Sequence, residues 1–357
     1  MSKARELAEL GAVYDSGALS NRNLIINGDM RIDQRNSGSA LTVDGTTKLS
    51  VDRFFVEEGS DAILSAQQVS DAPDDFLTLL KITVSTADTS LGATQLDVVG
   101  HRIEGQNIQH LNWGSSSAQT VTLSFYVKSS LTGTFGGSFW NNAFDRSHPF
   151  TYPISSANTW EYKTVTVEGP TSGTFLTTNG RGVSIAWSLG AGSTYSGTAG
   201  SWQSSGLVNA TGSVSVVGTA SATWQITGVQ LELGTEATPF EHRSFGDELL
   251  RCKRYFERLL VDQNGSSFAL GYGEGTSQIR TPFKYETKRS SPSLAVSAAG
   301  NWEFVNGVES KTASAITGSA LGKQFGLFFG TVSGATISRV YYVRANAGEY
   351  IDLDSEL

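Results

Sequence analysis

One cysteine, Cys252, and four histidines serve a chain of 357 residues. A lone thiol closes no internal disulfide, so the chain suits folding in a reducing cytosol, and any durability outside a cell has another source. One thiol also excludes a thiolate zinc cluster. His101, His110, His148 and His242 fall in neither H-x-x-x-H nor H-E-x-x-H spacing. Charge is scarce as well: 17% of residues are charged and the formal net charge is −8, which disfavours a nucleic-acid partner because such proteins carry a basic stripe. No apolar run reaches 18 residues, so membrane insertion is not expected. The N-terminus lacks the basic start, apolar core and cleavage site of a secretory signal. There is no G-x-S-x-G elbow and no phosphate-cradling G-K-S/T, so no cofactor is expected. Paired carboxylates for glycoside cleavage can come from distant strands, and a polysaccharide-degrading enzyme therefore stays open as an alternative to a non-enzyme.

What the chain has is glycine, 39 residues of it, with abundant Ser and Thr and 10% aromatics. That composition predicts a mainly β protein with many tight turns. Val121, Leu123, Phe125 and Val127 alternate with Thr122, Ser124, Tyr126 and Lys128, a half-buried strand. Val183, Ile185, Trp187 and Leu189 repeat the pattern; Leu80, Ile82 and Val84 mark an earlier strand, and Val165 with Val167 another. Strands so spaced, without helical patterns between them, predict an antiparallel sandwich. Gly190–Gly212 reads as an ordered excursion from it.

The organising stretch is Trp224–Glu257. Trp224 and Ile226 share one strand face, while Val229, Leu231 and Leu233 are one residue out of phase, which predicts a β-bulge at Gly228. Pro239 marks a turn. Ser244 and Asp247, in S-x-x-D spacing, predict a helix start. Leu249, Cys252, Phe256 and Leu259 then form an apolar helical stripe, with Cys252 buried, and Arg251, Lys253, Arg254 and Arg258 follow on later turns. Beyond it, Phe268–Tyr272, Gln278–Tyr285, Ser293–Ser297, Trp302–Val305 and Gln324–Thr331 are expected strands, with Ile337–Val343 closing the sheet. Val340, Tyr341, Tyr342 and Val343 put bulk on both faces of that strand, which predicts burial on both sides, the second cover coming from another subunit. At the other end, KARELAEL predicts a short amphipathic helix that includes Leu7 and Leu10, marginal alone and suited to ordering against a partner.

Two motifs, ITGVQLELGTEATPFEHRSFGDELLRCKRYFE and the opening NLIINGDMRIDQRNSG, together resemble tail-fibre proteins of tailed bacteriophages, many from marine phages and prophages. In that family a carbohydrate-binding-module-like jelly roll, opening on a strand at the N-L-I motif, passes into a helix. The resemblance covers Asn23 to about Glu257 and extends more loosely, through TPFKYETKRSSPSLAV, to the C-terminus. It implies an N-terminal attachment segment (1–22), a jelly roll (23–245), and a helix with a smaller C-terminal β tip domain (246–357). It further implies a homotrimer, assembled in the bacterial cytoplasm and carried on the virion. The N-terminus would dock on another virion protein in the tail adaptor, portal or nozzle region, and the fibre would attach to host-surface glycans. A head-decoration fibre of the capsid is the alternative.

Jelly-roll carbohydrate modules often hold a structural calcium, but no D-x-D-x-D-G loop is present, so Asp29 and Asp33 read as turn or surface carboxylates and no metal is expected. Asp71, Asp74 and Asp75 read as a solvated turn. Among aromatics, Trp187 belongs in the core; Trp160, Trp202 and Trp224 read as packing residues. That leaves Phe135–Pro153 as the least strand-like aromatic cluster. Sugars stack C–H faces on aromatic rings while amides, carboxylates and guanidinium groups take their hydroxyls. Trp140, Asn141, Asn142, Asp145, Arg146, His148 and Tyr152 are accordingly the expected glycan contacts.

Overall fold

The computed structural model describes Lys3 and residues 21–73, 75–265 and 267–357. Leu7, Leu10 and nearly all of the expected attachment segment lie outside the described residues, as does Asp74. The chain divides into two compact units, one ending at Glu248 and one running Leu249–Glu356.

The first unit is an antiparallel jelly-roll sandwich. Its strands are β1 (Leu41–Val43), β2 (Lys48–Leu49), β3 (Phe54–Glu58), β4 (Ile63–Val69), β5 (Leu79–Thr86), β6 (Leu96–Glu104), β7 (Val121–Ser129), β8 (Gly133–Asn141), β9 (Ser147–Ile154), β10 (Glu161–Val167), β11 (Arg181–Ala191), β12 (Ser196–Gly197), β13 (Asn209–Ala210) and β14 (Thr223–Leu233). One sheet has the order β1-β4-β5-β14-β7-β10 and the other β2-β3-β6-β11-β8-β9. Every pairing within them is antiparallel, and the chain crosses repeatedly between the layers. Alternation drives the packing. Val121, Leu123, Phe125 and Val127 face Val183, Ile185, Trp187 and Leu189 in one core with Leu80, Ile82, Trp224 and Ile226.

The expectation of half-buried strands needs correcting, because Thr122, Ser124, Ser184 and Ser188 on the opposite faces are buried too. Loops cover them. Phe55, Val98, Trp140 and Ala186 form a second apolar cluster with Val208 of the 192–211 excursion, which is ordered and contains the short parallel pair β12–β13. A second correction concerns Asn23–Gly38, expected to open on a strand. The Leu24 amide donates to Leu231 and the Gly28 carbonyl accepts from Val229. The segment therefore runs beside β14 without joining the sheet.

The helix α1 spans Phe245–Lys253. Ser244 caps it as its spacing predicts, accepting from the Asp247 amide at 3.2 Å. Phe256 and Leu259 do not continue it. They lie on β15 (Phe256–Leu260), paired with β24 (Tyr350–Asp354), and a three-and-four spacing carried across a turn imitated one longer helix.

The second unit also contains β16 (Ser267–Gly273), β17 (Gln278–Lys284), β18 (Ser293–Val296), β19 (Trp302–Val305), β20 (Ser310–Thr312), β21 (Ala315–Ser319), β22 (Phe325–Thr331) and β23 (Val340–Ala345). A three-stranded sheet, β15-β24-β18, packs against a seven-stranded sheet, β20-β19-β23-β16-β17-β22-β21. Strand β23 lies inside the larger sheet, between β19 and β16, and does not close its edge. Tyr341 and Val343 are buried in this unit's own core, whereas Val340 and Tyr342 are exposed. Within the chain, then, only one face of this strand is covered.

Candidate functional site

The expected glycan cluster is a β-hairpin, β8 paired with β9, and its rings point into packing. Phe135, Phe139, Phe150 and Tyr152 belong to the sandwich core. The Tyr152 hydroxyl accepts from Trp224 Nε1 at 3.1 Å, and burial holds its pKa above the ordinary value. Trp140 faces the other way and is buried beneath the excursion. His148 is buried against the edge of Trp202, with ring centroids 5.3 Å apart; that burial lowers its pKa. Trp202 in turn packs on Trp113 and Phe175 and donates to the Glu168 carbonyl.

The polar members of the cluster hold the hairpin end together. Asn141 Oδ1 accepts from the amides of Asp145 and Arg146, and its Nδ2 donates to Asp145 at 2.7 Å. Arg146 reaches Ser204 and Ser172. The Asn142 carbonyl accepts from Arg181. Asn142 and Asp145 alone of the seven are exposed. Neither Trp140 nor Tyr152 offers a free ring face, because an aromatic on a two-layer strand is buried whichever face it takes when loops cover the outer one.

Elsewhere the outer face of the first sheet carries an aromatic-lined groove of about 440 Å³. Its floor begins at Ser124 and Tyr126 on β7 and at Tyr162 on β10, directly opposite Tyr126 in the register. The two tyrosine rings lie 4.9 Å apart. Phe76 stands beside them, 5.5 Å from Tyr126, 5.1 Å from Phe240 and 5.6 Å from His242. Asp75 and Thr238 contribute polar groups at the rim. Tyr162 is 45% exposed, leaving ring surface open to a ligand. Burial raises the pKa of Tyr126, reinforced by Tyr162 and Asp75, and keeps its hydroxyl a neutral donor.

Gly228 makes this floor possible. The register of β14 against β7 slips between Thr227 and Gln230, the bulge expected from the phase change. Its φ of +61° is left-handed, and a Cβ there would come within 2.6 Å of the Phe76 ring and 3.0 Å of the Tyr126 ring.

The groove wall is the turn after β14, and buried polar residues of that strand hold it. Glu232 accepts from the Thr238 amide at 2.9 Å and its hydroxyl at 2.6 Å. Gln230 donates to Glu232 and accepts from the Glu241 amide at 2.8 Å. Arg243 continues the network, donating to the Ile25 carbonyl at 3.0 Å and pairing with Glu241 and Glu248, each at 3.2 Å. The motif's two outward polar residues are thus fasteners of the wall. Sequence reading missed the groove because Phe76, Tyr126, Tyr162 and Phe240 come from four separate segments. The one legible signal was Tyr126, an aromatic at a position its alternation assigns to the outer face.

Among the described residues no group of three or more His, Cys, Asp or Glu is arranged to hold a metal. Asp29 pairs with Arg31, and Asp33 accepts from the amides of Asn36 and Gly38.

No protein-family model matches this chain, and no curated protein does. Among solved structures, it is similar to the enzymatically active domain of tailspike protein 4 of bacteriophage CBA120, at 12% identity and a TM-score of 0.29, over 59% of this chain and 21% of that one. This chain thus spans about a fifth of the tailspike's length. It is also similar to a CBM4 module (16% identity, TM-score 0.32, 58% of this chain and 98% of that one). A third is a family 11 carbohydrate-binding module from Clostridium thermocellum in complex with a β-1,3-1,4-mixed-linked tetrasaccharide (11% identity, TM-score 0.27, 57% and 98%).

Proposed function

We propose that this chain is a non-enzymatic virion protein, a phage tail fibre that binds host-surface glycans through the groove over Tyr126 and Tyr162. The observation that carries the reading is a concave, loop-walled patch of four aromatic side chains and an imidazole, with hydroxyl and carboxylate groups at its rim. Rings take the apolar face of a pyranose, and Asp75, Ser124, Thr238 and His242 meet its hydroxyls. Asp75 is the single carboxylate among the described lining residues. Glycoside cleavage ordinarily uses two flanking carboxyl groups, which favours binding without hydrolysis. Several copies on one particle, a homotrimer in this reading, would multiply weak contacts through effective concentration.

The test is retention of the intact chain on host lipopolysaccharide and capsule, with Tyr162→Ala and Phe76→Ala as variants. Binding should fall roughly tenfold or more in each, the size expected for a central aromatic contact. Retention that both variants leave unchanged removes the groove from the reading. New reducing ends in the incubated polysaccharide would replace binding with cleavage.

A further inference from the structure

The seven-stranded sheet of the second unit carries a concavity of its own, lined wholly by residues of that unit. It is a polar pocket of about 220 Å³. Pockets for drug-sized ligands run ~300–1,000 Å³, so this one suits an occupant about the size of one sugar ring. Glu303 lines it from the start of β19, Arg344 from near the end of β23, Asn346 from just beyond that strand, and Asn301 from the turn before β19. Backbone at Gly265 and Gly300 lies beside them. The Gly265 amide donates to the Ala345 carbonyl at 3.1 Å and ties its loop to the strand.

Glu303 and Arg344 are opposite each other in the β19–β23 register, a placement in which unlike charges ordinarily pair. Yet they form no ion pair with each other within 4 Å, and neither side chain has another partner among the described residues. Arg344 Nε is buried without a hydrogen-bond partner, a costly state for a guanidinium unless another molecule supplies an acceptor. Asn301 Nδ2 donates to Glu349 at 2.7 Å, which leaves the Asn301 carbonyl oxygen without a donor among the described residues. A donor-only cation, an acceptor-only anion and amides of mixed character thus surround one small space. Tyr342 stands on the same strand face, two residues and ~7 Å before Arg344. It is opposite Val305 and 47% exposed, so ring surface is open beside the pocket.

We infer that this pocket is a second carbohydrate site, where Arg344 and Glu303 hold vicinal hydroxyls of one uncharged pyranose and Tyr342 stacks on the next sugar. A hydroxyl both donates and accepts, so a diol satisfies the guanidinium and the carboxylate at once. An acidic sugar sets its carboxylate against Glu303, and an amino sugar sets its ammonium against Arg344. A free amino acid matches the two charges but leaves the amides and the tyrosine ring unused. This second site rests on the reading of the chain as a glycan binder, but it uses no residue of the groove in the first unit.

Saturation-transfer NMR on the full chain carrying Tyr162→Ala and Phe76→Ala tests the site with the groove removed. The probes are the methyl glycosides of glucose, galactose and mannose, a disaccharide of each sugar, and glucuronate, glucosamine and glycine as charged comparisons. At least one neutral glycoside should bind, and adding Glu303→Gln or Arg344→Gln should weaken it roughly tenfold, the size of a lost hydrogen bond to a charged group. Neither change should lower the melting temperature, since neither side chain has a partner in the free chain; a structural role would lower it. Tyr342→Ala should weaken the disaccharide and leave the methyl glycoside unchanged. Binding by no neutral glycoside, binding that survives both Glu303→Gln and Arg344→Gln, or tighter binding of a charged probe overturns the inference. A Tyr342→Ala chain that binds the disaccharide as before overturns the stacking. Failure of the groove shows separately, as polysaccharide retention that Tyr162→Ala and Phe76→Ala leave unchanged in the otherwise wild-type chain.

Discussion

At the scale of single residues, conformation and ionisation make the sharpest demands. Gly228 serves a left-handed φ and a ring contact at once. Gly228→Ala should therefore destabilise by roughly 2 kcal/mol or more, above the ~1 kcal/mol of left-handed strain alone, because aromatic rings must also move. A thermal melt paired with glycan retention checks this, and both should fall together. Tyr162→Ala should separate them: retention drops while the melting temperature moves by no more than a few degrees, since nearly half of the ring is already in water. Asp97 makes a pH prediction. Burial raises its pKa from 3.8 to about 7, against the hydrogen bond from Ser60 and helped by the charges of Glu58 and Asp88. Its Oδ2 has no hydrogen-bond partner. A folded pKa above the unfolded one means the native state holds the proton more tightly. This residue's contribution thus erodes stability as pH rises from about 4 through about 7, by on the order of 1–4 kcal/mol. Asp97→Asn should flatten that slope in urea titrations at pH 5 and pH 8; an unaltered slope assigns it to other groups.

Elements show how much of this was legible. The bulge in β14 could be read from the change of phase between Ile226 and Val229, and the cap of α1 from Ser244 and Asp247, because both depend on neighbours in the chain. The roles of Gln230 and Glu232 could not be read, although they belong to the motif that carries the family resemblance. Outward-facing polar residues on a strand ordinarily meet water, and only the fold brings Thr238 and Glu241 back over them. Glu232→Ala should leave two donors of Thr238 without an acceptor and cost about 1–3 kcal/mol. Amide exchange across 235–242 should quicken first, ahead of the sandwich strands; uniform quickening would mean that Glu232 supports the whole sheet. The hairpin of β8 and β9 is the converse case. Its aromatics had the composition of a sugar site, and what placed them in packing was the 192–211 excursion lying over the sheet.

For the whole molecule the governing fact is two separate apolar cores. Trp187 and Trp224 centre one and Trp302, Phe304 and Tyr341 the other. Independent cores of this kind predict two calorimetric transitions. Trp224→Ala should lower one by roughly 3–5 kcal/mol of local stability and Trp302→Ala the other. A single transition that both variants shift equally would mean that the units unfold as one.

By itself the sequence determined the β architecture, the strand phases, the bulge, the helix start and the scarcity of reactive groups, because each of these follows from a residue and its near neighbours. The tertiary structure alone decided which aromatics keep a face in solvent, where the outer layer of loops falls, and that β23 is covered on one side only. Those outcomes depend on segments distant in the chain meeting at one place, and period-two alternation names a residue's face without saying what covers it.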